Sequence, residues 1–189
     1  MSLRHGLIGL LAREGPQTGY QLTKAFDRSV NFFWNALPGQ IYPELARLAD
    51  AGLIRQTGSG PRGAKKYEAT AEGIAELRRW ITENEPTQVI RNETLVRVFF
   101  SYLVDPAEAE GFLRRLADAY RSYLFTLEEI AAEHVETLAE RASWLTVDAG
   151  VRVTRARLEW AENAIEEVRR WGAKRPQGGQ APARNPRNA

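Results

Sequence analysis

Several side chains that could contact nucleic acid fall close together between positions 40 and 47. Gln40, Tyr42, Pro43 and Arg47 are predicted to share the outer side of one short helix. A glutamine amide can pair bidentately with adenine, and an arginine can reach guanine or a phosphate. Glu44 faces the same way, where it would repel phosphate, accept a hydrogen bond from cytosine N4 or point sideways. This combination indicates a helix that reads DNA.

The inner side of that helix is apolar. Proline is tolerated in the first turn of a helix, so Pro43 places the start near Gly39 or Gln40, and Gly52 places the end near position 51. The inward stripe, at i, i+4, i+7 and i+8, consists of Ile41, Leu45, Leu48 and Ala49. The helix is therefore predicted to be fixed on a core while its outer side stays available.

A basic hairpin is predicted to follow. Residues 53–57 and 65–69 suit two strands, and the glycine-rich stretch 58–63 suits the turn between them. Arg62, Lys65 and Lys66, with Tyr67 next in sequence, carry no acidic neighbour before Glu68. Such a wing is suited to holding phosphates; the alternative is a solvated loop with ordinary surface lysines.

The elements around this pair complete a winged helix-turn-helix over residues 1–83. A first helix is predicted over residues 3–13. Thr18 and Gln21 fit a capping box at the start of a second helix, which extends to about Val30. Lys24 is expected on the outer side of this second helix. The aromatic residues 32–34 are interpreted as core. Thr70 is expected to cap a fourth helix, which ends near residue 83.

The second half of the chain is predicted to be helical. After a linker at 84–92 we expect a short helix over 93–102, a long one over 107–140 started by Asp105 and Pro106, and a last one over 147–171. The last helix carries a 3.5-residue seam that needs a partner, supplied by the preceding helix and by a second copy of the chain. The residues assigned to dimerisation are Val151, Thr154, Leu158, Ala161, Ile165 and Val168.

The composition and the distribution of charge indicate which part of the chain could bind a partner. The chain of 189 residues has no cysteine and a net charge of +2. Residues 1–70 carry nine Lys/Arg against five Asp/Glu, whereas residues 90–171 carry eleven against fifteen, so the first part is the one expected to meet a polyanion. We expect no membrane span, a cytoplasmic, nucleoid-associated location, and a disordered tail at 172–189 whose arginines add weak DNA affinity.

The sequence gives no support for an enzyme. The two histidines, His5 and His134, are far apart, and neither a phosphate-binding glycine loop nor a metal-ligand cluster is present, so we expect no catalytic residue, cofactor or metal. A winged-helix module that binds protein and a sequence-neutral DNA-packing protein remain as alternatives to a regulator.

Several segments resemble the PadR family of transcriptional regulators. They are the N-terminal Leu-Arg-His-Gly-Leu-Ile-Gly-Leu-Leu, Gly-Tyr-Gln-Leu at 19–22, Gly-Gln-Ile-Tyr-Pro-Glu-Leu at 39–45, and Lys66-Tyr67 with Thr70 and Gly73. Arg-Asn-Glu at 91–93, leading into Phe-Phe at 99–100, is similar to the start of the long helical C-terminal domain found in one branch. The resemblance covers roughly residues 3–171.

The resemblance implies a homodimeric, usually repressing, transcription factor that binds a palindromic site and responds to a small effector such as a phenolic acid. DNA-contact roles pass to the matching positions Tyr20, Gln40, Tyr42, Pro43, Lys66 and Tyr67. Leu37-Pro38 replaces the small polar residue that the family often has before the recognition helix. Trp144 and Trp160 are the candidates for lining an effector pocket where the C-terminal helices meet the DNA-binding domains. The expected fold is mainly α with a small two-stranded wing: an N-terminal winged helix-turn-helix plus a C-terminal antiparallel helical dimerisation domain.

Overall fold

The chain forms two compact units, residues 1–88 and 89–189. A computed structural model describes residues 2–28, 38–60, 63–83, 85–86 and 92–174. Arg62, the aromatic residues 32–34, most of the predicted linker and the predicted tail from residue 175 lie outside these ranges. The two units are described separately below.

The first unit has the predicted order of helices and wing strands, with one short strand added before α2. Its helices and strands are α1 (Ser2–Glu14), β1 (Gln17–Thr18), α2 (Gly19–Arg28), α3 (Pro38–Asp50), β2 (Ile54–Ser59), β3 (Lys65–Ala69) and α4 (Ala71–Glu83). The glycines Gly15 and Gly52 end α1 and α3 with φ of 78° and 71°, a backbone conformation that glycine adopts at little cost. This is a winged helix-turn-helix.

The sheet contains one more strand than the sequence predicted. β2 and β3 form the antiparallel wing, and the short β1 pairs with the other edge of β3, giving the order β1-β3-β2. Gln17 lies opposite Tyr67 and Thr18 opposite Lys66. The segment just before α2 is therefore hydrogen-bonded to the wing strand that carries the two lysines.

The core of the first unit is built around α1. Leu7, Ile8, Leu10 and Leu11 are all buried, because α2, α3, α4 and β3 all pack against this helix. The predicted inner stripe of α3 is confirmed, with Ile41, Leu45 and Leu48 in the same cluster and Ala49 packed against it. The cluster also contains Leu22, Phe26 and Ile54.

The second unit is an antiparallel helical hairpin preceded by short elements. They are α5 (Glu93–Phe99), a 3₁₀ helix (Ser101–Leu103), α6 (Pro106–Ala131) and α7 (Leu138–Lys174). The start of α6 agrees with the sequence: Asp105 accepts from the amide of Ala107 at 2.8 Å, and Glu108 completes a capping box. α5 is shorter than predicted, since residues 101–103 form the 3₁₀ turn.

The predicted boundary between the two long helices was wrong. The first was expected to continue to residue 140, but α6 ends at Ala131, and residues 138–146 belong to α7. The reason is a capping box: the hydroxyl of Thr137 accepts from the amide of Glu140 at 3.2 Å, and the Glu140 carboxylate accepts from the amide of Thr137 at 2.8 Å. Leu138, on whose apolar spacing the longer helix was predicted, is 86% exposed.

The 3.5-residue seam of α7 packs against α6 of the same chain. Ala161, Ile165 and Val168 join one buried cluster with α6, and Val151 joins a second with Leu124 and Leu127. Ion pairs also join the two helices: Arg121 to Glu162 at 2.8 Å, Arg155 to Glu128 at 2.6 Å, and Arg169 to Glu110 at 3.0 Å. The seam residues are thus occupied within one chain.

Candidate nucleic-acid interface

The start of α2 is fixed by its own side chains. Thr18 and Gln21 form the predicted capping box: the amide of Thr18 donates to Gln21 Oε1 at 2.9 Å, and the amide of Gln21 donates to Thr18 Oγ1 at 3.2 Å. Tyr20, which lies within this capped first turn, is 65% exposed. The ammonium of Lys24 lies 5.9 Å from the centre of the Tyr20 ring, within the range of a cation–π contact.

The outer side of α3 presents the predicted side chains. Gln40, Tyr42, Pro43 and Arg47 are exposed, whereas the inner stripe has at most 1% exposure at Ile41, Leu45 and Leu48. α3 begins at Pro38, before the predicted start near Gly39 or Gln40, so Pro43 is its sixth residue and lies inside the helix, beyond the first turn. A rigid inner face thus holds amide, phenol and guanidinium groups toward solvent.

Glu44 points sideways, toward Arg47. The carboxylate accepts from the Arg47 guanidinium at 2.6 Å, and its side chain is 16% exposed against 71% for Arg47. Of the three orientations that the sequence left open, the structure supports this one. The pair reduces the repulsion that an isolated carboxylate would exert on a phosphate.

The wing carries its lysines on β3. Lys65 is exposed, and Lys66 and Tyr67 are half-buried. The nearest carboxylate in sequence, Glu68, accepts from Arg55 on β2 at 2.5 Å, so the two lysines lie beside a carboxylate that already has a cationic partner.

Two close contacts at this surface were not foreseen from the sequence. A Cβ atom placed on Gly19 would lie 2.6 Å from Cε1 of Tyr42, and one placed on Gly60 would lie 2.7 Å from Cγ2 of Thr18. Real Cβ atoms essentially never come within 3.0 Å of another heavy atom in this way. Both glycines therefore allow neighbouring elements to approach. No one-dimensional pattern signals these contacts, because each joins residues far apart in sequence.

The two tryptophans proposed for an effector lie on one helix, far from each other. Sixteen residues separate Trp144 and Trp160 along α7, which corresponds to about 24 Å at the rise of an α-helix. Nε1 of Trp144 donates to the carbonyl of Ala131 at 3.1 Å and so holds the α6–α7 turn, whereas Trp160 packs at the edge of a buried cluster. One small pocket within one chain cannot be lined by both.

The two histidines lie in different environments. His5 is buried, stacks on Trp80 with 4.4 Å between ring centres, and has Nε2 3.5 Å from Glu76. Hydrogen bonds from Arg79, which has the larger effect, and from His5 lower the pKa of the Glu76 carboxyl. His134 is exposed beside Glu136. Among the residues that the structure describes, no group of three or more His, Cys, Asp or Glu side chains could hold a metal ion.

The helices that the structure describes do not fit a membrane span. Within the described ranges, none combines the length and the apolar composition that crossing a bilayer requires.

The fold and the exposed helix together define a winged-helix protein. Residues 7–79 match the transcriptional regulator PadR-like family, and residues 90–169 match the virulence activator alpha C-terminal family. The negative transcriptional regulator PadR of Bacillus subtilis is 31% identical over 152 residues, covering 78% of this chain and 82% of that protein. The chain belongs to the PadR-like family of transcriptional regulators.

Solved structures agree with this assignment. Bacillus subtilis PadR in complex with operator DNA has a TM-score of 0.77 and 25% identity, covering 89% of this chain and 99% of the other. The same regulator in complex with p-coumaric acid has a TM-score of 0.76, with the same identity and coverage. The predicted family and the winged-helix fold with a long helical C-terminal region are thereby confirmed.

Proposed function

We propose that the chain is a sequence-specific DNA-binding repressor that acts as a homodimer on a palindromic operator and is released by a small aromatic effector. The observation that carries the DNA part is the outer side of α3, where Gln40, Tyr42 and Arg47 are exposed, whereas Ile41, Leu45 and Leu48 on the inner side are buried. The complex of Bacillus subtilis PadR with operator DNA supports it. The regulator acts in the cytoplasm, at the nucleoid.

The contacts divide into two kinds. Gln40, Tyr42, Pro43 and Arg47 face base edges in the major groove, because the N-terminal half of a recognition helix enters there. The second group meets the phosphates or lies next to the residues that do; it comprises Tyr20, Lys24, Arg62, Lys65, Lys66 and Tyr67. Base contacts supply specificity, and phosphate contacts supply position and salt dependence.

The homodimer is supported by an apolar surface at the start of the second unit. Between Leu95 and Val104, seven large apolar side chains are 44–73% exposed: Leu95, Val96, Phe99, Phe100, Tyr102, Leu103 and Val104. Arg97, the charged residue among them, pairs with Glu93 at 2.5 Å. Exposed apolar surface of several hundred Å² marks an interaction site, and a two-fold dimer pairs such a patch with its own copy. This surface, named the 95–104 patch, is the proposed interface, because the seam of α7 that was first assigned to dimerisation packs against α6 of the same chain.

The effector is proposed from the p-coumaric acid complex of Bacillus subtilis PadR. We assign it an aromatic carboxylic acid or a similar planar compound. Trp144 and Trp160 serve as separate probes, since they cannot line one pocket within one chain. Titration with p-coumaric acid of the wild type and of the Trp144→Phe and Trp160→Phe variants is expected to change tryptophan fluorescence and to weaken operator binding. If neither signal responds, the proposed effector class is wrong.

The test of the DNA function is a mobility shift on the DNA upstream of the chain's own gene, against a scrambled duplex at about physiological salt. Preferential binding to the upstream fragment, with a shift of dimer size, supports a specific regulator. Equal weak binding to both duplexes favours a DNA-packing protein. Absence of binding even at low salt would overturn the DNA reading and favour a winged-helix module that binds protein.

A further inference from the structure

Gly19 begins α2 at the point where three parts of the candidate interface meet. On its N-terminal side, Thr18 pairs with the wing residue Lys66. On its C-terminal side, Tyr20 is exposed. Across from it lies the ring of Tyr42, on the recognition helix α3, at 2.6 Å from the place where a Cβ of residue 19 would be.

The backbone conformation does not require a glycine here. Among the glycines that the structure describes, those with positive φ are Gly15, Gly52 and Gly63, and Gly19 does not belong to this group. Alanine is a better helix former than glycine. A side chain at position 19 is opposed by a steric contact: Cε1, Cδ1 and Cζ of Tyr42 lie 2.6, 3.2 and 3.2 Å from the ideal Cβ position.

Hydrogen bonds around Gly19 hold its backbone in place and limit its movement away from Tyr42. The capping box fixes Thr18 and Gln21 to each other, and the hydroxyl of Thr23 donates to the carbonyl of Gly19 at 2.9 Å. Thr18 is further held by its pairing with β3. Tyr42, which is 55% exposed, is the more movable partner, so an added methyl group would displace its ring.

We propose that Gly19 is a positioning residue for DNA recognition: its missing side chain lets the Tyr42 ring lie against the start of α2, which sets the direction in which Tyr42 faces DNA. The contact also ties the recognition helix to the same short segment that pairs with the wing. This inference rests on the proposed DNA-binding function and assigns Gly19 a role that acts only through Tyr42.

The test is a double-mutant cycle in the full-length chain with Gly19→Ala, Tyr42→Ala and the double variant. Binding to the upstream fragment and to the scrambled duplex is measured for each, together with thermal unfolding. We expect Gly19→Ala to weaken binding to the upstream fragment by roughly tenfold, the effect of losing one specific contact. The double variant is expected to bind no more weakly than Tyr42→Ala, because the displaced ring is then absent.

Gly9→Ala is the matched control. Its Cβ would lie 3.7 Å from Leu77 Cδ2, an ordinary contact on α1 of the same unit, and binding is expected to stay as in the wild type. If Gly19→Ala binds like the wild type, or weakens binding equally with and without Tyr42, the proposal is wrong. If Gly19→Ala fails to fold, folding of the double variant supports the steric contact, and its failure to fold overturns it. A wild type that does not prefer the upstream fragment would instead refute the proposed function.

Discussion

Arg47 and Glu44 share one side of α3, and their ion pair governs how much positive charge the helix presents. Arg47 is largely exposed, while Glu44 is mostly covered and lies 2.6 Å away. An exposed pair of this kind contributes little to stability. Its effect on a nearby polyanion is larger, because the carboxylate cancels a charge that would otherwise attract phosphate.

We expect Glu44→Gln to strengthen binding to both the operator fragment and the scrambled duplex by roughly twofold to fivefold. This change in affinity corresponds to the free energy that one exposed charge pair contributes. Equilibrium titration of both duplexes at one salt concentration measures this. Glu159→Gln, an exposed carboxylate on α7, is the charge-matched control. Weaker binding to the operator alone would show instead that Glu44 accepts a hydrogen bond from a base.

At the scale of elements, the start of α4 is locked to the end of the loop that follows α3. The amide of Thr70 donates to the carbonyl of Leu53 at 3.1 Å, the hydroxyl of Thr70 donates to the carbonyl of Gly52 at 2.8 Å, and the amide of Gly73 donates to that hydroxyl at 3.0 Å. Thr70 is thus the predicted cap, and it also holds the wing's first strand beside α4.

Gly73→Ala should destabilise the first unit by at least about 2 kcal/mol, in the range of severe overpacking. The new Cβ would lie 2.0 Å from the carbonyl oxygen of Leu53, and this backbone atom is itself held by Thr70. Chemical denaturation followed by circular dichroism gives the difference. Gly9→Ala should change the stability little, and equal stability of the two variants would contradict the geometry.

The elements of the first unit could be predicted because burial and capping signals agree there, as at Thr18, Ile41 and Thr70. The α6–α7 boundary could not be placed from periodicity, since Ala131, Val135 and Leu138 continue an apolar spacing across the turn. The capping box at Thr137 was the decisive local signal. β1 has two residues and depends on pairing with β3, and the contact of Gly19 with Tyr42 depends on how two helices cross, so neither follows from local sequence.

The hairpin of the second unit should lose stability in acid through Glu110. Its pKa is lowered from the ordinary 4.5, first by the hydrogen bond from Arg114 and then by the one from Arg169 on α7. A carboxyl whose pKa is lower in the folded chain contributes stability above its unfolded pKa and loses it as the pH falls through the folded value. We expect Glu110→Gln to lower the melting temperature of the second unit at pH 7.

The difference between Glu110→Gln and the wild type should shrink as the pH is lowered below 4.5, the ordinary value for this carboxyl. Melting curves at a series of pH values measure it. Glu159→Gln again serves as control. A difference that stays constant into acid would mean that Glu110 stabilises the hairpin by packing and not by charge.

At the scale of the molecule, the positive charge within residues 1–171 is concentrated in the part proposed to meet DNA. Residues 1–70 hold nine Lys/Arg and five Asp/Glu, a net +4, whereas residues 90–171 hold eleven and fifteen, a net −4. A polyanion is therefore attracted to residues 1–70 and repelled by residues 90–171, whereas residues 172–189, with four Lys/Arg and no Asp/Glu, also attract it. We expect this difference to favour encounters with DNA through residues 1–70.

Replacing Lys65 and Lys66 together by alanine should lower the slope of log K against log salt by about two contacts and weaken operator and scrambled duplex alike. Titrations at several salt concentrations give the slope. Replacing Arg115 and Arg157, exposed arginines of the second unit, removes the same charge elsewhere and should leave the slope nearly unchanged. An unaltered slope in the lysine variant would remove the wing from the interface.

The 95–104 patch should join two copies of the chain. Phe99 and Leu103 are 73% and 64% exposed, and placing a carboxylate on each would put four like charges into a two-fold interface, where desolvation makes them costly. Phe99→Glu/Leu103→Glu should therefore be a monomer by light scattering. It should also bind the operator far more weakly, because a monomer contacts one half-site at a time. Arg115→Glu on α6 is the control. A double variant that remains dimeric would assign the interface to other residues.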